Sequence, residues 1–272
     1  MLETICEYLE QERQRIRITK LRHHKDAHVI QSTDVCEIRK EMQAYYDESA
    51  YEHDAHVVHT TRELLIHSLW QYLQENPSIQ KIADGGCGTG VDIAFLAKQF
   101  PEKKFIGYDL AHANLKIARE RIRRLNLKNV FLVQATHERL PLTDLDMIYC
   151  IGSLDNEQQF SQEHPETQEF QKLRDEIIQS FTEQLRIGGV LATTIRCWPL
   201  RESEVYAKDQ TKDPKYEEIL NALHFDLGSD RPYFTVSHWN YYTGDEDFSY
   251  VLTFSEKLEK PHMLQLLSQC LM

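Results

Sequence analysis

The sequence predicts a mixed α/β fold, a mostly parallel sheet closed by an antiparallel hairpin and preceded by a helical extension. Three observations carry that expectation. From about residue 79, short apolar runs alternate with longer helical stretches. Residues 84–90, DGGCGTG, hold four of the chain's ten glycines directly after the apolar pair Ile82-Ala83. Near the C-terminus, two strand-like runs are joined by a short connection that contains glycine. Strands alternating with helices build parallel sheets through right-handed crossovers, while a short Gly-containing connection reads as a hairpin.

The elements follow in order. SIQKIA precedes VDIAFLAKQF, KKFIGYDL precedes AHANLKIARERIRRL, and NVFLVQA leads by a short connection to DMIYCIG. A polar helix, PETQEFQKLRDEIIQSFTEQLR, runs through IGG into the strand VLATTIRC. After Asp213, a helix around PKYEEILNALHF precedes the strands YFTVSHWNYY and FSYVLTFSEK, joined by TGDED. Residues 1–78 read as helical and polar. Within them, HTTRELLIHSLWQYLQENP predicts one helix that stops at or before Pro77. Thr60 and Glu63 form its capping box, and Leu64, Leu65, Leu69 and Leu73 its apolar face. The expected organisation is a helical extension over 1–59 and an α/β domain over 60–272.

Composition narrows the function classes. With 41% hydrophobic and 27% charged residues, the 272-residue chain has the make-up of an ordinary globular protein. No run approaches the ~18 apolar residues of a membrane span. The start, MLETICEYLEQERQRIR, is too polar for a signal peptide. Cys6, Cys36, Cys87, Cys150, Cys197 and Cys270 are scattered without a CxxC pair. That pattern fits a reduced, cytoplasmic setting and argues against disulfides or structural zinc. A net charge of −12 repels a phosphate backbone, which speaks against nucleic acid as substrate. Neither nucleic acid nor membrane is expected as a partner; a homodimer is compatible with the chain. The basic run Arg13, Arg15, Arg17, Lys20, Arg22 and Lys25 reads as a solvated helix face.

The glycines carry the chemistry. A Gly-rich turn after a first strand lets a ligand approach bare backbone at the carboxyl edge of a sheet. The dinucleotide pattern G-x-G-x-x-G fails, because Val91 stands at its third glycine. What remains is G-x-G-x-G at Gly86, Gly88 and Gly90, with Asp84 two positions upstream. An acid facing such a loop suits a ligand with positive charge rather than a diphosphate. A second acid, Asp109, ends the next strand, nineteen residues beyond Gly90. Its carboxylate matches the vicinal hydroxyls of a ribose.

DGGCGTG followed by FIGYDL, QATHERLPL, DMIYCIG and LRIGGVLAT resembles the class I S-adenosylmethionine-dependent methyltransferases over residues 79–196. The resemblance implies a Rossmann-like methyltransferase fold, with a mostly parallel seven-stranded sheet and a C-terminal antiparallel hairpin. It implies S-adenosyl-L-methionine as cofactor. By resemblance, Asp84 and Gly86 hold the methionine amino and carboxylate end, and Gly88 and Gly90 allow close passage of the nucleoside. Asp109 binds the ribose hydroxyls, Leu110 packs on the adenine, and Cys150 and Ile151 line the cofactor near its sulfonium. Where the family usually has an acid after the third strand, this chain has Thr136, followed by His137. The Thr136 oxygen or the His137 backbone is the expected substitute for the contact to the adenine amino group.

Transfer from a sulfonium needs a nucleophile aligned opposite the leaving sulfur, and a base only if the acceptor must lose a proton. Three segments are expected around the acceptor. AYYDESAYEHDAHVVH at 44–59 resembles the helical lid of small-molecule members, with Tyr45, Tyr46 and Tyr51 as amphipathic cover. SLDNEQQF brings Asp155 and Asn156, and RCWPLRESEVY at 196–206 brings Arg196 and Trp198. Candidate acid–base groups are Asp155, His53 and His56. His53, His56 and His59 recur every third residue, but the first and last splay over nearly two turns, so no metal is expected. Arg196, Arg201 and Arg231 are candidate partners of a substrate carboxylate. Cys87 and Cys150 read as small buried fillers. The expected function is methyl transfer to an oxygen, nitrogen or carbon of a small molecule. The alternatives are a protein or peptide methyltransferase, and a cofactor-binding member with another role.

Overall fold

The alternating runs become α1 (Leu2–Arg15), α2 (Val35–His59), α3 (Arg62–Glu75), β1 (Lys81–Gly85), α4 (Val91–Gln99), β2 (Lys104–Asp109), α5 (His112–Arg124), β3 (Val130–Gln134), β4 (Leu145–Cys150), α6 (Gln168–Gln184), β5 (Leu185–Cys197), β6 (Phe234–Thr243) and β7 (Ser249–Lys257). The structure is a computed structural model and describes residues 1–16, 34–59, 62–153, 168–197, 234–243 and 249–257. The helix expected around 214–225, Arg201 and Arg231 lie outside them.

The sheet order is β3-β2-β1-β4-β5-β7-β6. Strands β1 to β5 pair in parallel, and β7 runs antiparallel to both β5 and β6. The order reverses between β1 and β4, and a ligand of such a sheet sits beyond the carboxyl ends of strands at that point. Because helices cover both faces, the central strands are nearly all apolar. Ile82, Met147, Tyr149 and Ala192 face α1, α3 and α4 in one core. Ala83, Ile148, Cys150 and Leu191 face α6 in the other, against Leu173, Ile177 and Phe181. At the far edge, β3 leaves Phe131 56% exposed.

Two local expectations change. IGG is not a turn ahead of the strand. β5 starts at Leu185, paired with Leu145, while Met147 pairs with Val190, so Arg186–Gly189 bulge within the strand. Gly188 takes a left-handed φ of 70° there. In α3 the buried face is Leu65, Ile66, Leu69 and Leu73, with Leu64 half-buried; Thr60 lies outside the described residues.

The N-terminal extension divides. α1, expected as part of a lid, packs into the larger core rather than over it. Ile5 and Leu9 are fully buried, and Tyr8 sets its ring 5.3 Å from Phe95. The Tyr8 hydroxyl donates to the Val91 carbonyl at 3.0 Å. Ile5, Tyr8 and Leu9 form a narrow stripe at helical spacing inside a charged segment. Each such burial stabilises by about 1.5–3 kcal/mol. Among the described residues, no helix is long and apolar enough to cross a membrane.

Candidate cofactor site

The site grows from the end of β1. Gly86, Gly88 and Gly90 have φ of 67°, 51° and 75°, a region that strains any residue with a Cβ. Gly85 has another reason to be glycine. A Cβ there would lie 2.5 Å from the Cys150 sulfur and 2.6 Å from the Tyr108 hydroxyl. Three of the four glycines therefore serve the turn, and one serves the core. Ser153, just past β4, closes over the loop. Its hydroxyl donates to the Gly85 carbonyl at 2.7 Å, and a Gly86 Cβ would strike its Cβ.

Asp109 ties this loop to the next strand. Its Oδ2 accepts the Gly88 N–H at 2.9 Å, and its Oδ1 accepts the Ala111 N–H at 2.8 Å. Oδ1 also accepts Asn114 Nδ2 at 3.5 Å, so Oδ2 is the oxygen that keeps an acceptor position for a ligand. Burial raises the Asp109 carboxyl above its usual range, opposed by these backbone donors. Beside it, the buried Asn114 Oδ1 has no hydrogen-bond partner. The neighbouring Leu110 is half-buried.

Asp84 is 3% exposed and makes no ion pair among the described residues. Burial, and then the Asp92 charge, push its carboxyl well above the ordinary range, while Tyr149 and Arg62 pull it down. Arg62 itself is committed to Asp92 at 3.2 Å. Cys87 is buried beside the turn, and burial raises its thiol too far for a nucleophile, in keeping with a filler.

At the end of β3 the two expected residues diverge. Thr136 Oγ1 is buried without a hydrogen-bond partner. His137 turns inward instead. Its Nδ1 lies 3.0 Å from the Tyr108 hydroxyl, and its carbonyl accepts Ser180 Oγ at 2.9 Å. Edge-on contacts to Tyr108 and Phe181 complete its surroundings. Burial lowers the His137 pKa to about 4, so the ring is neutral at pH 7. Cys150 likewise points into the core beneath Gly85, and Ile151 follows it, 6% exposed.

A covering helix was expected over 44–59, but the side chains that fasten it were not. α2 runs across the carboxyl ends of three strands and is held there by polar side chains. Arg39 pairs with both oxygens of Glu138 after β3, the longer contact at 2.9 Å. Asp47 accepts the Ala113 N–H at 2.7 Å, at the start of α5 after β2. Asp54 accepts Arg121 at 2.8 and 3.1 Å and the Thr89 hydroxyl in the loop after β1. These residues are eight and seven positions apart, about two helical turns each, and so share one side of α2. Their spacing is visible in the sequence, but their partners are not.

The remaining candidates scatter. Tyr45 and Tyr46 pack on Ile38 and Met42 of their own helix, with ring centroids 5.3 Å apart. Tyr51 is 62% exposed, which corrects its expected place over the ligands. His53 and His56 are on α2, and Arg196 is in β5 opposite Tyr250; their side chains lie outside the description. Asp155, Asn156 and Trp198 fall wholly outside it. Among the described residues, no group of His, Cys, Asp and Glu is arranged to hold a metal. A cavity of about 620 Å³ opens between the start of α2 and α6, lined by Arg39, Glu138, Arg139, Lys172 and Glu176 among others. It includes no residue of the glycine loop and is not the cofactor site.

Strand order, an acid-led glycine loop and a second acid after β2 define an α/β enzyme of the methyl-transferring class. Residues 78–250 match the family model described as a methyltransferase domain. The chain belongs to that family. An uncharacterized protein of Rickettsia prowazekii (strain Madrid E) is 35% identical over 69 residues, 25% of this chain and 26% of that protein. An uncharacterized phycocyanin operon protein of Pseudanabaena tenuis (strain PCC 7409) is 41% identical over 44 residues, 16% of this chain and 42% of that protein. The matches thus span about a quarter to two fifths of these curated relatives. Magnesium protoporphyrin IX methyltransferase of Synechocystis PCC 6803, solved with S-adenosylmethionine bound, superposes with a TM-score of 0.56. That likeness has 12% identity and covers 83% of this chain and 99% of the other. At such identity it concerns the fold alone.

Proposed function

We propose that this chain transfers the methyl group of S-adenosylmethionine to a small-molecule acceptor enclosed beneath α2. The observation that carries the reading is the unfinished polar edge under that helix. Asp84 is a buried carboxyl without a salt-bridge partner among the described residues, Asp109 keeps an acceptor position on Oδ2, and Thr136 Oγ1 is orphaned. Buried polar groups normally have partners, so an edge with this many open positions fits a polar ligand.

The residues fit the cofactor as follows. A cationic amino group beside Asp84 provides the countercharge that burial withholds, and the carboxyl ionises. Gly86 admits the same end of the molecule, and Gly88 and Gly90 let the nucleoside pass. Asp109 accepts the ribose hydroxyls while still holding the loop through Gly88. Leu110 packs on the adenine, and Thr136 replaces the family's usual acid at the adenine amino group. Ile151 closes the site from β4. When bound, the cofactor supplies an electrophilic methyl on a sulfonium; the protein's contribution is orientation and exclusion of water.

The candidates for the acceptor side are His53, His56, Tyr45, Tyr46 and Asp155. A helix fastened at three points above the edge favours an acceptor small enough to be enclosed. The net charge of −12 also repels nucleic acid. The Synechocystis enzyme of the same fold is by name a methyltransferase of magnesium protoporphyrin IX, which is a small molecule.

Two experiments test this reading. Asp109→Ala is expected to weaken binding of S-adenosylhomocysteine roughly ten- to hundredfold by calorimetry, since charge-assisted hydrogen bonds contribute about 1.5–3 kcal/mol. Unchanged affinity would overturn the cofactor assignment. The protein is also incubated with methyl-labelled cofactor and a cell extract split by ultrafiltration. Label in the low-mass fraction supports a small acceptor. Label in protein or RNA overturns it, as does cofactor binding without any transfer.

A further inference from the structure

We propose that Asp54 is a positioning residue for cofactor binding, which acts by fixing Thr89 between the two left-handed glycines of the loop. The proposal rests on the cofactor reading above. Thr89 is 1% exposed, and both of its polar ends are held from outside the loop. Its hydroxyl donates to Asp54 Oδ1, and its carbonyl accepts Arg121 Nη1. Arg121 in turn donates to both Asp54 oxygens and, at 3.0 Å, to Glu12 of α1. Arg124 completes the group, donating to Glu12 at 2.7 and 2.8 Å. Arg15, half-exposed, also donates to Glu12 at 3.3 Å, so two buried carboxylates face three guanidiniums, of which Arg121 is the buried one.

The physical need for this arrangement lies in the loop itself. Gly88 and Gly90 permit the turn, but glycine also gives the free backbone many other states. Asp109 restrains one end through the Gly88 N–H. The peptide between Thr89 and Gly90 remains free to rotate as a plane. In a trans peptide the carbonyl and N–H point in opposite directions. Holding the Thr89 carbonyl toward Arg121 therefore aims the Gly90 N–H away, where it donates to the Cys87 carbonyl at 2.9 Å. Rotation of the plane would break both bonds. The acid that enforces this stands on α2, so the loop has its binding shape when the cover is seated. Cover and cradle are one device, and Asp54 joins them.

The test uses the full chain. Affinity for S-adenosylhomocysteine and melting temperature are measured for the wild type, Asp54→Asn, Thr89→Val, Thr89→Ser and the Asp54→Asn/Thr89→Val double variant. Asp54→Asn and Thr89→Val are each expected to lower affinity about tenfold in protein that stays folded. Thr89→Ser, which keeps the hydroxyl, should bind as the wild type does. The double variant should bind no worse than Asp54→Asn alone, because Asp54 acts through Thr89. Wild-type affinity in folded Asp54→Asn protein, or additive losses in the double variant, would overturn the proposal. Should Asp54→Asn fail to fold, Thr89→Val decides, since it leaves every ion pair intact; undiminished affinity there sinks the idea. A wild-type protein that binds no S-adenosylhomocysteine removes the cofactor reading, and this inference with it.

Discussion

α1 and α2 adjoin in sequence and serve the same sheet, yet they are attached by different forces. α1 is attached chiefly by area, with Ile5 and Leu9 fully buried and Tyr8 nearly so, and adds one polar anchor, Glu12 paired to Arg121 and Arg124. α2 is attached at points, through Arg39, Asp47 and Asp54, with one small apolar cluster around Ile38 and Met42. Apolar burial is non-directional and scales with the surface removed from water, so a helix held that way belongs to the core. Polar contacts depend on geometry and exchange for water at small net cost, so a helix held that way is suited to cover a site.

The largest expected effect tests the first half of that contrast. Leu9→Ala should destabilise the fold by about 2–5 kcal/mol through lost burial and a residual cavity, read by denaturant unfolding. Cofactor affinity of the folded protein should not change. A loss of affinity with unchanged stability would place α1 with the cover instead.

His137 sharpens the contrast from below, since it lies buried next to Glu138, which anchors α2. Its folded pKa of about 4 is below the unfolded value near 6.5. The unfolded chain therefore takes the proton first, and stability falls as pH drops from about 6.5 toward 4. The loss from this group reaches at most about 3 kcal/mol. Raised carboxyls at Asp84 and Asp109 act in the opposite direction over acidic pH. Following the imidazole itself by NMR separates the two. A ring that titrates near pH 6.5 would mean that this edge opens to water in solution.

The smallest effects compare a hydrogen-bonded and an exposed residue of α2. Asp47→Ala removes an acceptor from the start of α5, a loss of about 0.5–2 kcal/mol. It should raise the KM for the cofactor more than it lowers the melting temperature. Tyr51→Ala, at an exposed position one turn further on, should stay within about 0.5 kcal/mol and leave kinetics unchanged. Equal behaviour of the two variants would mean that the Asp47 contact does not seat α2.

By itself, the sequence determined the strands, their parallel-then-antiparallel arrangement and the glycine loop with its two acids. These features are local: burial on both faces leaves uninterrupted apolar runs such as Met147–Cys150, and left-handed backbone calls for glycine at 86, 88 and 90. The α1 stripe was also written there, but three apolar residues among charges look like an exposed helix until a partner surface is known. Only the tertiary structure decided which polar residues meet. Glu12 and Arg121 are 109 residues apart, Arg39 and Glu138 are 99 apart, and Asp47 and Ala113 are 66 apart. A charged residue carries no mark of its partner, because a solvated Asp and a buried, paired Asp are the same letter. Gly85 makes the same point for packing. The sequence shows a glycine among glycines, and only the approach of Cys150 and Tyr108 from other strands shows that its missing side chain makes room for the protein itself.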